Sequence, residues 1–67
     1  MTVKQLGATI KKHRKSLGMI QADLALVSGT GVRFISDLEN GKETCEIGRA
    51  LRVMNNLGLT LTLSARD

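Results

Sequence analysis

Polar and apolar positions along this chain repeat with a helical period almost to its end. Apolar residues fall at Val3, Leu6, Ile10 and Leu17, a spacing that returns to one side of a helix every three or four residues. Thr2 and Gln5 have the form of a capping box at the start of this first helix, and Gly18 stops it. A second, short helix is predicted from Gln21 to Ser28, ended by Gly29. A third is predicted after Thr30, a good N-cap, to about Asn40, ended by Gly41. A fourth starts after Thr44, with Glu43 and Glu46 near its positive end, and runs to Leu57 before Gly58. The pattern then changes. Leu59-Thr60-Leu61-Thr62-Leu63 alternates strictly and carries β-branched threonine, which predicts a strand. The reading is a helical domain over 1–58 and a strand-bearing tail over 59–67.

Size and composition restrict what such a chain can do. At 67 residues a single core rarely supplies more than about 3–5 kcal/mol without a disulfide, a metal or a partner. One cysteine, Cys45, leaves no internal disulfide, and with His13 the only histidine a zinc site is not expected. No cofactor is expected either, so a partner chain is the default support. The longest apolar run, Leu24 to Val27, is too short for a membrane span or a signal-peptide core, and a cytoplasmic, nucleoid-associated chain is expected. Phe34 is the only aromatic residue. That argues against a single-strand stacking platform and against a small-molecule pocket. No acid/base pair, nucleophile constellation or phosphate loop is present, so an enzyme is not expected.

Net charge is +4, unevenly spread. Residues 1–18 carry five basic residues and no acid, whereas 19–48 carry two basic and five acidic ones. A basic small domain suits an anionic polymer. Lys4, Lys11, Lys12 and Lys15 fall on the side of helix 1 opposite its apolar stripe, where they read as a solvated face.

The informative segment is Gln21 to Lys42. Two short helices are joined by a glycine turn. Ala25 is small enough for a second helix to cross closely, Gly29 can take positive φ, and Leu24, Ile35 and Leu38 can pin the pair together. This is the physical recipe for a helix-turn-helix, whose second helix enters the DNA major groove. Here the sequence resembles the Xre/lambdoid-repressor family. Gln21, Ala25, Gly29, Ile35 and the run Leu38-Glu39-Asn40-Gly41-Lys42 match the family pattern. Gly31-Val32-Arg33-Phe34-Ile35-Ser36 and the closing Leu-Thr alternation look most like the small HipB-like antitoxin repressors. Two residues depart from the pattern. Ile20 stands where the family places Thr or Ser, and Ser28 stands where it prefers an apolar residue.

The resemblance implies an all-α, four-to-five-helix, lambda-repressor-like domain whose C-terminal β-strand pairs across a dimer. It implies a homodimeric repressor on a palindromic double-stranded operator. It further implies a HipA-like serine/threonine kinase toxin as partner, with autorepression of the shared operon. The competing reading is a protein-interaction module of the same fold with little or no DNA binding, which the acidic balance of 19–48 keeps open. By resemblance Gln21 bonds a phosphate at the start of helix 2, and Asn40 and Lys42 touch backbone. Thr30, Val32, Arg33, Ser36 and Asp37 lie at the start of helix 3. Arg33 is the best base reader, since guanidinium pairs bidentately with guanine. Val32 suits a thymine methyl. Asp37 suits a cytosine amino group or an ion pair with Arg33 four residues back. The family also pairs the residue at Arg14 with that at Glu39, so a partly buried structural ion pair is expected there. Phe34 reads as packing, and Cys45, at a helix start, as a plain thiol.

Surplus apolar surface marks interfaces. Leu26 and Val27 exceed what helix 2 needs for its own packing. Ile47, Ala50, Leu51, Val53, Met54 and Leu57 make a wide arc on helix 4. A lone strand has no intrachain partner for its backbone, so the dimer interface is expected at Met54, Leu57, Leu59, Leu61 and Leu63, with Thr60 and Thr62 facing outward.

Overall fold

A computed structural model describes residues 1–66. It contains α1 (Val3–Ser16), α2 (Gln21–Ser28), α3 (Val32–Glu39) and α4 (Ile47–Asn56). The Thr2 hydroxyl accepts from the Gln5 N–H at 3.0 Å while the Gln5 side chain accepts from the Thr2 N–H at 2.8 Å, closing the capping box of α1. Leu17, beyond the end of α1, is exposed rather than part of its apolar stripe. Ile20 offers α2 no side-chain cap, but Asp23 reaches back to accept from the Ile20 N–H at 3.0 Å, so the helix is held from its first turn instead. Two boundaries move. The N-cap of α3 is Gly31, not Thr30, whose hydroxyl turns to the Gly31 carbonyl. The N-cap of α4 is Glu46, so the helix begins two residues later than Thr44 suggested.

One core joins the helices. Ile10, Leu24, Ala25, Ile35, Leu38, Ala50, Val53, Met54 and Leu57 are buried together, with Leu6, Met19, Phe34, Cys45, Leu59 and Leu61 half-buried against them. Met54 and Leu57 therefore belong to the domain's own interior, each 3% exposed, and not to a free interface. The inner part of the α4 arc is used at home, and only Ile47 and Leu51 remain outside. Ser28 is buried, and its Oγ accepts from Asn56 Nδ2 at 3.2 Å. That bond satisfies the hydroxyl where an apolar residue was the pattern.

The tail forms no strand on its own, as expected of a segment without an intrachain partner. Among the described residues there is no strand, and 60–66 make no hydrogen bond with the rest of the chain. The Leu59 N–H donates to the Met54 carbonyl at 2.9 Å. Leu59 and Leu61 then lie on the core, Thr60 and Thr62 face out, and Leu63 is 85% exposed. A strand needs a second strand, and one chain supplies none. No helix among the described residues is long and apolar enough to cross a membrane.

Gly7 sets the spacing of α1 and α3. A Cβ there would lie 2.3 Å from the Leu38 carbonyl oxygen and 2.7 Å from that of Glu39, so only glycine allows the crossing. Gly48, also helical, faces open space. The two positions should respond with opposite sign in denaturation followed by circular dichroism. Gly7→Ala should lose about 1–3 kcal/mol through overpacking. Gly48→Ala should gain up to about 1 kcal/mol from helix propensity. A Gly7→Ala variant as stable as the parent would contradict the crossing.

Candidate nucleic-acid interface

Helices α2 and α3 meet through the three-residue connection Gly29-Thr30-Gly31. Gly29 adopts φ 68° and ends α2 in a left-handed turn, with the Thr30 N–H closing back on the Ala25 carbonyl at 3.0 Å. Ala25, 3% exposed, sits in the core beside Leu24, Ile35 and Leu38. Packing the inner side of α3 in this way turns its outer side to solvent. Val32 and Arg33 are exposed there, and Ser36, Asp37 and Thr30 are half-exposed. Asn40 and Lys42 stand exposed just beyond the helix.

A buried ion pair fixes this surface in place. Arg14 Nε donates to Glu39 Oε2 at 2.6 Å and Nη2 donates to Oε1 at 3.0 Å. The two side chains are 7% and 1% exposed, more deeply buried than the sequence suggested. The third guanidinium nitrogen, Nη1, donates to the Met19 carbonyl at 2.7 Å, which ties down the loop leading into α2. Gln21 Nε2 donates to the same Glu39 carboxylate at 3.1 Å. Gln21 is thus held at the start of α2 with one amide hydrogen spent on Glu39 and the other, with its carbonyl oxygen, still unspent. The Met19 contact, made by a backbone carbonyl, has no side-chain signature in the sequence.

On the outer surface Asp37 is the shared counter-charge. Lys42 Nζ stands 3.5 Å and Arg33 Nε 4.0 Å from Asp37 Oδ2. Arg33 is 90% exposed, so this pairing is weak and leaves the guanidinium free to move. Phe34 packs on the core and under the Arg49 guanidinium, 5.9 Å from the ring centre. It is not presented as a wedge. His13 lines a shallow groove with Thr9, Lys12, Ser16 and Leu59, which holds no carboxylate. Burial, with the Asp37 charge, pushes the Cys45 thiol up against the opposing pull of Lys42, which keeps it a protonated, unreactive group.

Burial alone would raise the Glu39 carboxyl. The hydrogen bonds from Arg14 and Gln21, and the Arg14 and Lys11 charges, outweigh it and hold the group below its ordinary 4.5. Arg14 is raised in turn, chiefly by its hydrogen bonds to Glu39. A depressed folded-state value means stability that is fully present above about pH 5 and lost as pH falls through the folded value. Thermal melts should therefore be level near neutrality and drop steeply below about pH 4.5. Arg14→Ala strands a buried carboxylate and should cost about 3–5 kcal/mol, enough to unfold much of the population. Arg14→Met combined with Glu39→Leu should recover most of that loss. A double variant with the summed loss of the two single changes would show that the groups are not coupled.

Comparison with known proteins places this geometry. The helix-turn-helix family HTH_3 matches residues 10–63. An uncharacterised HTH-type transcriptional regulator of Sinorhizobium fredii, y4mF, is 42% identical over 64 residues, covering 96% of this chain and 84% of the relative. Among solved structures, a HipA-HipB-O2-O3 complex superposes with TM-score 0.89 at 25% identity, covering 100% of this chain and 94% of the other. A HipB variant in complex with an O2 20mer gives 0.88 at 27%, covering 100% and 93%. With its glycine turn, its crossing at Ala25 and its outward-facing α3, the chain belongs to the HTH_3 family of helix-turn-helix transcription regulators.

Proposed function

We propose that the protein is a sequence-specific repressor that binds a palindromic operator as a homodimer, without enzymatic activity. The observation that carries this reading is the outer face of α3. Arg33 stands free at its first turn, Gln21 is fixed at the start of α2, and Asn40 and Lys42 follow its end. That arrangement pairs one base-reading cation with flanking backbone contacts. Thr30, Val32, Ser36 and Asp37 complete the reading surface. The HipB structures, solved with an O2 20mer, an O4 20mer and HipA, support extending the reading. On that extension the protein is an antitoxin that binds a HipA-like serine/threonine kinase toxin and represses its own operon in the cytoplasm.

The dimer contact in this reading is the tail. Residues 60–66 have backbone groups without partners among the described residues, and Leu63 projects into solvent. The same segment of a second copy, paired antiparallel across a two-fold axis, satisfies both. Leu59 and Leu61 anchor the strand to each domain, over Met54 and Leu57, and Leu63 enters the shared contact. Two α3 helices are then held about 34–36 Å apart, one turn of DNA.

Three measurements test these points. Affinity for operator DNA should fall by roughly 10³–10⁵ between about 50 and 200 mM salt for a dimer with about 6–10 phosphate contacts. Arg33→Ala should cost about 1–3 kcal/mol on the cognate site and relax preference at a base pair or two, while Lys42→Ala weakens all sequences alike. Salt-independent binding, or an Arg33→Ala loss equal on every sequence, would contradict the recognition surface. For the dimer, Leu63→Glu leaves the domain's own core untouched and should yield a folded monomer in sedimentation. A stable Leu63→Glu dimer would move the contact to the exposed apolar residues of α2 and α4.

A further inference from the structure

We propose that Lys4 and Lys11 of α1 form a second phosphate-binding stripe beside the recognition helix, gripping the DNA backbone next to the stretch held by Lys42. The proposal rests on the DNA-binding reading and extends it to a helix that a helix-turn-helix does not require.

Three observations converge on these two lysines. The first is rotational. Residues seven apart on a helix lie within about 20° of each other, so Lys4 and Lys11 share one line along α1. Gly7 and Arg14, which touch α3 at the Leu38 and Glu39 carbonyls and at the Glu39 carboxylate, lie about 40–80° to one side of that line. The lysine line is therefore the solvent edge of the α1–α3 contact.

The second is positional. A side-chain carbon on Gly41 would meet Lys4 Cα at 2.6 Å and Lys4 Cβ at 3.1 Å, so the root of Lys4 lies directly against the chain between Asn40 and Lys42. Lys11 stands near enough to Glu39 for its charge to help keep that carboxyl ionised, and Glu39 also holds Gln21. Each lysine thus sits beside a different group of the proposed backbone contacts. The seven-residue step between them spans about 10 Å at ~1.5 Å per residue. That is the axial run of about three phosphates on one strand at ~3.4 Å each.

The third is electrostatic. Both side chains are exposed, and among the described residues no carboxylate lies within ion-pair distance of either. Glu39, whose carboxyl feels the Lys11 charge, already accepts from Arg14 and Gln21. Residues 1–18 contain no acid at all. Lys12 offers an internal contrast. It is rotated about 90° from the stripe, away from α3, and lines the groove with Thr9, His13, Ser16 and Leu59. Lys15 continues the stripe toward the loop end of α1.

The test is a salt titration of affinity for a duplex of arbitrary sequence, starting at low salt, with the full chain. Lys4→Gln and Lys11→Gln should each flatten the dependence of log K on log salt by about 1 per bound subunit and weaken every sequence by the same factor. Lys12→Gln should leave the slope unchanged. Circular dichroism should be the same for all three, because the side chains are exposed. An unchanged slope for Lys4→Gln and Lys11→Gln, beside normal binding by the parent, would overturn the stripe alone. An equal fall for Lys12→Gln would also overturn it, by reducing the effect to net charge. Failure of the parent chain to bind duplex at low salt would overturn the DNA-binding reading and the stripe with it.

Discussion

The Glu39 carboxylate sits at the end of α3 and accepts hydrogen bonds from Arg14 on α1 and from Gln21 on α2. The same guanidinium reaches the Met19 carbonyl in the intervening loop. One buried group therefore joins every element around α3 that faces the proposed DNA. A planar guanidinium meeting a carboxylate through two parallel bonds fixes an angle as well as a distance. Hydrophobic residues of equal volume could stabilise the fold as well, but they would not aim the Gln21 amide. In this chain the ion pair supplies orientation first and stability second.

The rest of the domain leaves little stability in reserve. The core is small, one aromatic residue is available to it, and Gly7 has to be glycine to let α3 approach α1. Ser28 puts a polar group in that core, and Asn56 meets its hydroxyl. Several apolar residues nevertheless stay outside, Leu26 at 82% and Ile47 at 63% exposed. A domain this short cannot both fill a core and cover α2 and α4, which is why a second chain enters the account.

The helices, their glycine stops and the Arg14–Glu39 partnership were legible in the sequence because each rests on local spacing or on a family pattern. The misplaced features have physical reasons. Thr30 is a better N-cap than Gly31 by residue type, but the left-handed turn at Gly29 shifts the start of α3 one residue on. The arc of α4 showed its width but not which part turned inward, so Met54 and Leu57 looked available when they are core. Gly7 read as an ordinary weak position in a helix, since its reason lies more than thirty residues away at Leu38. Ser28 and Asn56 are equally remote from each other. The tail alternates as a strand does, but pairing is a property of two segments and cannot appear in one.

The most direct test of the account is the set of backbone amide resonances that move when duplex DNA is titrated into the isotopically labelled protein. The central claim is that Glu39 holds Gln21, the outer face of α3 and Lys42 on a single surface. It predicts that shifts concentrate at Gln21, Val32, Arg33, Ser36, Asn40 and Lys42 and leave Leu26, Val27, Ile47 and Leu51 still. Shifts confined to those four apolar positions, with the α3 face silent, would contradict it.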